Sequence, residues 1–371
     1  MTRTDRLDVD FSLAIHNRTG KYFIGRDLLD TPDLPVGDVY YWRFPATRPP
    51  SGLFGRAIGR LQHWQIRATA LNGLSGVLPR RLSRRPLLHL DPFTVPTTHL
   101  HRHDAILCHD IGPVTHPQLF DADVSRIYDF IFREVVRAQP HLIFVSEASR
   151  TAFTIAYPGA DPSRMRVIYP ATRIGVSAAQ PAAVQAIDGP FLLTVGSLGD
   201  RKNQARCIAA FVRSGLAARG YRYVLCGARD PGYEAVAAAA QSTLGVVHLS
   251  YVDDSQLSWL YGNATGFVLA SLLEGFGMPV AEAISRNLVP LVSSKSVLHE
   301  VAGDGAVVVD PYDVDSIAAG MVSLAELSVE ERASRLASMQ RAGVRFGIET
   351  IRNKWRTAFS DILAEAGAMV S

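Results

Sequence analysis

Residues 266–287 read GFVLASLLEGFGMPVAEAISRN, which places an apolar run, a glycine-rich turn and a helical pattern in direct succession. The run GFVLAS has the length and composition of a buried strand. Pro279 suits the start of a helix, where its missing N–H is not needed. The same order continues on both sides, with candidate strands FLLTVG, YRYVLCG, VVHLS, LVPLVSS and AVVVD. This alternation predicts an α/β domain with a doubly wound parallel sheet, followed by helical segments from Asp315 to the C-terminus.

The first half of the chain has the same ingredients in a less regular order, with candidate strands FSLAIHN, AILCHD, HLIFVS and MRVIYP. A chain of 371 residues normally divides into two domains. Residues 171–190 are rich in Ala, Pro and Gly and are interpreted as the linker. We therefore predict α/β domains at 1–175 and 176–345, and a C-terminal helix at 346–371 that packs back on the first domain.

The composition is that of an ordinary globular protein, with 47% hydrophobic residues, 20% charged residues and a net charge of +3. Three scattered cysteines are too few for a disulfide framework or a four-cysteine zinc site. No window approaches the roughly 18 uninterrupted apolar residues of a membrane span, and the N-terminus has no long apolar stretch. We expect a cytoplasmic protein, either soluble or peripheral on the inner face of the membrane.

One segment, residues 51–85, has a strong local charge: it contains seven arginines and no acidic residue. These are Arg56, Arg60, Arg67, Arg80, Arg81, Arg84 and Arg85. Within it, the helical stretch AIGRLQHWQIRATAL aligns Ala57, Leu61, Trp64, Ala68 and Leu71 in one apolar stripe beside several of the arginines. Such a helix can lie on an anionic leaflet. Alternatively, its stripe packs on the core of the first domain, and the sequence leaves both interpretations of 56–85 open.

The turn between strand and helix in 266–287 is a candidate anion site. Gly275 and Gly277 let the backbone approach a ligand, and free amides at the start of the helix favour a phosphate. Glu274 precedes the turn and Glu282 lies one turn into the helix. Carboxylates repel phosphate, so these two side chains are suited to bind hydroxyl groups at either end of the ligand. A nucleotide-sugar presents that pattern of sugar, diphosphate and ribose.

A second candidate segment, SLGDRKNQ, follows the strand FLLTVG and brings Arg201 and Lys202 to the start of a helix. In open parallel sheets, ligands bind beyond the carboxyl ends of the strands, so both segments belong to the expected binding edge. Cations fixed there would stabilise the charge that develops on a leaving diphosphate.

The segments TVGSLGDRKNQ, EGFGMPVAE and VVDPYD together resemble glycosyltransferase family 4, whose members are retaining GT-B enzymes, and particularly its mannosyltransferase-like members. The resemblance implies two Rossmann-like domains facing a central cleft, with a nucleotide-sugar as donor. It assigns residues to each part of that donor. The sugar would contact Glu274, Gly275 and Phe276; the ribose and base would contact Glu282, Tyr251 and Val252; the diphosphate would contact Arg201, Lys202, Gly277, Met278 and Pro279.

The resemblance extends to the N-terminal half. AILCHDIGPVTHPQLF is similar to the family's strand ending in His-Asp, which implies a sugar contact for His109 and an acceptor-orienting role for Asp110. These two residues and Glu274 are the predicted catalytic residues. HNRTGKYFIGRDLL is similar to the family's first glycine-bearing loop and implies that Gly20 faces the donor diphosphate. One departure is Ser197, which stands where many members carry Arg.

These features predict a retaining hexosyltransferase, with mannose from GDP-mannose as the specific expectation. The acceptor would be a saccharide or lipid-linked glycan in the synthesis of cell-surface polysaccharide or lipopolysaccharide. A UDP-sugar-dependent family 4 enzyme and a non-catalytic nucleotide-sugar-binding GT-B protein remain alternatives. The E-x7-E spacing argues against a sugar-nucleotide epimerase, and no dinucleotide fingerprint or nucleic-acid motif is present.

We expect no metal and no other cofactor. The Asp-x-Asp triplets that begin at Asp8, Asp121 and Asp313 do not stand where a diphosphate-bound metal would require them. Nor does the chain offer an evident nucleophile pair like that of retaining glycosidases. We therefore expect front-face transfer, in which the departing phosphate deprotonates the acceptor hydroxyl while domain closure excludes water.

Overall fold

The computed structural model describes residues 5–16, 20–74, 79–83, 85–172 and 181–368. The chain divides into two units, Met1–Ala171 together with Ile348–Ser371, and Thr172–Gly347. The predicted domain boundary between residues 175 and 176 lies outside the described residues, as does part of the predicted linker. None of the helices in the described ranges is long and apolar enough to cross a membrane.

The first unit is built on a largely parallel sheet of described strands in the order β3-β2-β1-β4-β5-β6-β7, with β3 antiparallel to β2. The strands are β1 (Leu7–Asp10), β2 (Val36–Tyr41), β3 (Phe44–Pro45), β4 (Leu87–His89), β5 (Ala105–Cys108), β6 (His141–Phe144) and β7 (Met165–Val167). The helices of this part are α1 (Gly20–Leu29), α2 (Gly52–Leu71), α3 (Gly112–Thr115), α4 (Ala122–Ala138) and α5 (Glu147–Ala156). Ile106, Phe132, Phe144 and Phe153 are at the centre of its core.

The second unit contains an all-parallel sheet in the order β10-β9-β8-β11-β12-β13. Its strands are β8 (Phe191–Val195), β9 (Arg222–Cys226), β10 (Val246–Leu249), β11 (Gly266–Leu269), β12 (Pro290–Ser293) and β13 (Val307–Val309). Its helices are α6 (Gln204–Ser214), α7 (Tyr233–Ser242), α8 (Asp254–Asn263), α9 (Met278–Ser285), α10 (Val297–Ala302), α11 (Val314–Glu326) and α12 (Val329–Gly343). The predicted doubly wound parallel sheet is therefore confirmed, and each of its six predicted strands is present.

The first strand of the chain corrects the sequence interpretation. FSLAIHN was expected to form a strand, but β1 ends at Asp10 and Ser12–Ile15 forms a 3-10 turn. The Asp10 carboxylate accepts a hydrogen bond from the Ser12 amide at 3.0 Å, which turns the backbone out of the strand. The true strand, LDVD, was missed because its two aspartates look like surface residues. Both are buried, and Arg85 and Arg81 pair with them.

The Asp-x-Asp triplets have structural roles. Asp8 and Asp10 belong to the buried strand β1. Asp121 caps helix α4 and Asp313 caps helix α11, each by accepting a hydrogen bond from the amide two residues later.

Helix α2 buries a different face from the one predicted. Its buried residues are Gly55, Ile58, Gly59, Gln62, Gln65, Ile66, Ala68 and Thr69. Of the five predicted stripe positions, Ala68 alone is buried, while Leu61 and Trp64 are 53% and 58% exposed. The glycine-bearing side can approach the unit most closely, since a Cβ on Gly59 would overlap the His16 ring. Of the two interpretations left open, packing of the stripe on the core is therefore contradicted at Leu61 and Trp64 and holds at Ala68.

The arginines of residues 56–85 divide into two groups. Arg67, Arg80, Arg81 and Arg85 form ion pairs with Asp123, Glu134, Asp10 and Asp8, in that order. They therefore contribute to the internal structure of the first unit. Arg56 and Arg60 lie on the exposed side of α2. Arg84 lies outside the described residues.

A last helix, α13 (Ile348–Ala368), belongs to the first unit although it follows the second in sequence. Trp355, Phe359 and Ile362 are buried. Glu365 accepts two hydrogen bonds from Arg164 Nη1, at 2.7 and 2.8 Å, and the Arg164 side chain is almost fully buried. The helix is therefore held by apolar contacts and by one largely buried ion pair.

We predict that Glu365→Ala lowers the free energy of unfolding by about 1–3 kcal/mol, because it leaves a buried guanidinium without its carboxylate. Asp361→Ala on the same helix is the matched control, since its pair with Arg166 is half exposed and should contribute about 0–1 kcal/mol. Urea unfolding of both variants measures the difference. Equal losses would contradict a special role for the Arg164–Glu365 pair.

Candidate functional site

The two sequence segments chosen as candidate sites meet in the second unit. The strand order reverses between β8 and β11, and the loops that follow these two strands carry the predicted residues. A Cβ on Gly196 would lie 3.9 Å from Lys202 Nζ and 4.0 Å from Pro279 Cγ. The Leu272 amide also donates a hydrogen bond to the Arg201 carbonyl at 2.9 Å. The structure therefore brings both segments to one place at the carboxyl edge of the sheet.

Glu274 is the centre of this group. Its Oε1 accepts hydrogen bonds from Ser271 Oγ, at 2.9 Å, and from Lys202 Nζ. Its Oε2 lies 3.4 Å from Arg201 Nη1. The Glu274 and Lys202 side chains are only 8% and 7% exposed. One carboxylate thus contacts both predicted phosphate-binding cations.

The charge state of Glu274 follows from these contacts. Burial raises the pKa of its carboxyl, but Lys202 and Arg201 outweigh burial and hold the pKa below its usual range. The stability that Glu274 contributes through Lys202 and Arg201 is therefore fully present above the ordinary glutamate pKa. It is lost as the pH falls through the lower pKa that Glu274 has in the folded protein. At neutral pH the group is a carboxylate, which accepts hydrogen bonds from hydroxyls and cannot donate a proton.

The residues after Lys202 fix the segment that carries it. Asp200–Lys202 forms a 3-10 turn that ends at Asn203, whose backbone is left-handed with φ 63°. Asn203 Nδ2 donates to the carbonyls of Ala270 and Pro311, at 2.9 and 2.7 Å. Gln204 bonds to the backbone of Ser197 and Gly199. The cations are therefore presented by a turn whose hydrogen bonds reach the ends of neighbouring strands.

Asp230 is a member of the site that the sequence did not reveal. Its Oδ2 accepts hydrogen bonds from Ser197 Oγ at 3.0 Å and from Arg201 Nη2 at 3.3 Å. Arg201 therefore bridges two carboxylates, Asp230 and Glu274. Its place in the sequence could have indicated it, because Asp230 follows strand β9 and so lies at the same edge of the sheet.

Helix α9 begins at Met278, one residue earlier than predicted, with Pro279 at its second position. Gly277 caps it with φ 93°, a conformation that favours glycine. Phe276 is buried with its ring against Phe346, so a sugar contact by this residue would come from its backbone. The helix therefore begins at the turn where the anion site was predicted.

Glu282 lies in a neighbouring group. Its Oε2 accepts a hydrogen bond from the Tyr261 hydroxyl at 3.1 Å. Burial raises the pKa of Tyr261 well above its usual value, so this phenol remains protonated and can donate. Of the residues predicted to lie beside the base, Tyr251 is exposed and Val252 is half-buried.

The predicted residues of the N-terminal half have different surroundings. His109 is buried, and its Nε2 donates to the Leu90 carbonyl at 2.8 Å. Burial lowers the pKa of His109 to about 4, so the ring is neutral at neutral pH. Gly20 is the first residue of α1 rather than part of a loop, and residues 17–19 lie outside the description. Asp110 lines a cavity of about 430 Å³, whereas His109 is not among its described lining residues.

Residues 180–341 match the family model Glycosyl transferases group 1. Two curated relatives are O-antigen chain mannosyltransferase B of Escherichia coli, 29% identical over 57% of this chain, and O-antigen chain mannosyltransferase RfbU of Salmonella typhimurium, 28% identical over 63%. The matches span 58% and 65% of the relatives' own lengths. A solved structure of trehalose-6-phosphate synthase (OtsA) superposes with a TM-score of 0.66, covering 97% of this chain and 99% of that one at 15% identity.

The group 1 match confirms the predicted glycosyltransferase class for this part of the chain, and the matched range includes Arg201, Lys202, Glu274 and Glu282. The superposition with the synthase supports the predicted GT-B fold with two Rossmann-like domains. At 15% identity it supports the fold alone.

Gly277 offers a test of the site in the group 1 domain. We predict that Gly277→Ala lowers the free energy of unfolding by about 1–3 kcal/mol. The added Cβ would overlap the Leu298 side chain, and the alanine would have to adopt a positive φ that is strained for it. Gly262→Ala is the matched control, since a Cβ on this helical glycine meets nothing within 4 Å and should be neutral or stabilising. Thermal unfolding compares the two, and an equally tolerated Gly277→Ala would contradict the proposed geometry of the turn.

Proposed function

We propose that this protein is a retaining glycosyltransferase of family 4 that transfers a hexose, specifically mannose from GDP-mannose. The acceptor is a saccharide or lipid-linked glycan of cell-surface polysaccharide or lipopolysaccharide. The observation that carries this proposal is the cluster of Glu274, Lys202 and Arg201 beside the start of helix α9. The two relatives named O-antigen chain mannosyltransferases support the choice of sugar and acceptor class.

The chemistry assigned to the cluster follows from its charges. Arg201, Lys202 and the amides at the start of α9 bind the diphosphate and stabilise the charge that develops as its bond to the sugar breaks. Glu274 remains a carboxylate and binds hydroxyls of the donor sugar. The acceptor oxygen forms the new bond to the anomeric carbon, and its proton passes to the departing phosphate. The cations and amides supply positive charge at the diphosphate, so we propose transfer without a metal or other cofactor.

Glu274→Gln should lower turnover by about 100-fold or more, because it removes the charge that positions Lys202 and Arg201 in the transition state. The measurement is release of nucleotide diphosphate from a nucleotide-sugar in the presence of acceptor. Glu234→Gln is the control, since that glutamate forms an exposed surface pair with Arg229 in the same unit and should leave turnover unchanged. Near-normal turnover by Glu274→Gln would refute the assignment of this site.

A UDP-sugar donor and a non-catalytic nucleotide-sugar-binding protein remain the alternatives. Thermal shifts with GDP, UDP and their sugar conjugates distinguish a UDP-sugar donor from GDP-mannose, because a ligand that binds the folded state raises the melting temperature. Binding of a nucleotide-sugar without transfer to any acceptor would favour the second.

We also propose that helix α2 contacts the anionic inner face of a membrane. Leu61 and Trp64 are more than half exposed, and Leu53 and Phe54 are exposed at the start of the same helix. Arg56 and Arg60 are exposed beside them. An exposed apolar face flanked by arginines has the chemistry of an interfacial helix.

Replacing Arg56 and Arg60 together by alanine should remove about 2 kcal/mol of attraction to anionic vesicles, which is about a 30-fold loss of affinity. Co-sedimentation with vesicles that contain an anionic lipid measures this loss, and added salt should weaken binding by the wild-type protein. Ile155→Ser is a control for general surface apolarity in the same unit, because Ile155 is exposed on a different helix, α5. Binding that is insensitive to salt and to both arginines would contradict the membrane assignment.

A further inference from the structure

The cavity of about 430 Å³ in the first unit lies at the switch point of its sheet. The strand order reverses between β1 and β4, and the cavity is lined by residues that follow these strands, including Ser12, Asp91 and Thr94. Helix α2 forms another wall with Gln62 and neighbouring residues. Ligands of open parallel sheets bind at such switch points, and the volume is typical of small-molecule sites.

Charge in this cavity selects the kind of ligand. Asp91 and Asp110 supply two carboxylates, and Lys21 is the one lysine or arginine among the described lining residues. Lys21 Nζ is already paired with Asp91 Oδ2 at 3.0 Å. Burial lowers the pKa of His63, which keeps that lining residue neutral at neutral pH. An excess of carboxylate repels a phosphate group and suits hydroxyls that donate hydrogen bonds.

Gln62 provides an independent indication of a ligand. Its side chain is 2% exposed and lines the cavity. Its Oε1 has no hydrogen-bond partner within the described part of the chain. A buried carbonyl without a partner is costly, and such a group in a native protein calls for an explanation. A hydroxyl bound in the cavity would satisfy it.

Part of the cavity lining is aromatic. The Phe93 ring lies between His63 and Tyr128, with ring centroids 5.8 and 6.2 Å away. All three rings line the cavity. Aromatic faces beside a few convergent polar groups can receive the apolar face of a sugar ring while its hydroxyls are hydrogen-bonded.

We propose that this cavity binds one uncharged hexose unit of the acceptor, with Gln62 Oε1 and Asp110 accepting hydrogen bonds from its hydroxyls. Its role as an acceptor site rests on the proposed function, but binding itself can be measured without donor or turnover. The proposal narrows the acceptor to molecules whose terminal sugar is uncharged. It disfavours a phosphorylated monosaccharide as the acceptor.

Saturation-transfer NMR on the full chain tests this with methyl glycosides of mannose, glucose, galactose and N-acetylglucosamine at millimolar concentration. At least one should bind, and Gln62→Leu should weaken its binding about fivefold by removing one neutral hydrogen bond. Gln62→Leu should not lower the melting temperature, because it removes an unpartnered buried carbonyl. No binding by any glycoside, or unchanged binding by Gln62→Leu, would overturn the proposal.

Gln65→Leu is the matched control on the same helix. Gln65 accepts from Trp42 Nε1 and donates to the Pro79 carbonyl, so its replacement should lower stability and leave glycoside binding unchanged. Mannose 6-phosphate should bind more weakly than methyl mannoside. Asp110→Asn should reduce the difference in affinity between these two sugars, because it removes a negative charge. Tighter binding of the phosphorylated sugar would refute the charge argument.

Titration with GDP and UDP on the same samples separates this proposal from the proposed function. Nucleotide binding without any glycoside binding would overturn the cavity assignment alone. Glycoside binding sensitive to Gln62→Leu, without nucleotide binding, would support the cavity and count against the donor site.

Discussion

Parallel pairing of the strands is the constraint on which both candidate sites depend. It brings the loops that follow parallel strands to the same edge of the sheet, and the reversal of strand order opens a space between two of these loops. In the second unit this joins Lys202, which follows β8, to Glu274, which follows β11. In the first unit it joins Ser12 to Asp91 around the cavity. One topological rule therefore produces a charged site in one unit and a hydroxyl-binding cavity in the other.

Buried charge is tolerated in this protein where an opposite charge meets it. Asp10 with Arg81, Asp91 with Lys21 and Glu274 with Lys202 each place at least one buried carboxylate beside a cation. An unpaired charge at such depth would cost several kcal/mol, so these pairs hold their loops in defined positions. At Glu274 that fixed arrangement also serves the proposed chemistry, because groups already oriented need not reorganise during the reaction.

Helix α2 links two proposed properties of the first unit. Its buried face carries Gln62 to the cavity, and its exposed face carries Leu61, Trp64 and nearby arginines. A single helix can do both because residues three and four apart share a face, while neighbours in sequence point in different directions. A sugar bound in the cavity would therefore lie beside a helix that is suited to a membrane surface. That arrangement is compatible with a lipid-linked acceptor.

The sequence by itself determined the second sheet, because its strands are continuous apolar runs separated by helices. It selected Glu274 as a candidate through its spacing around glycine and proline, and Arg201 and Lys202 through their place between a strand and a helix. It did not reveal β1, since Asp8 and Asp10 look like surface residues until Arg85 and Arg81 are seen to neutralise them. It did not indicate the buried face of α2, because that face carries Gln62, Gln65 and Thr69 and includes a close approach at Gly59. Asp230 and Gln62 could be recognised only in the tertiary structure. Asp230 matters because it bonds to Arg201, which is distant in sequence, and Gln62 because its buried Oε1 has no hydrogen-bond partner in the described residues. Local patterns fix which elements form, whereas long-range contacts decide which charges are buried, which helix face is exposed and where a ligand can bind.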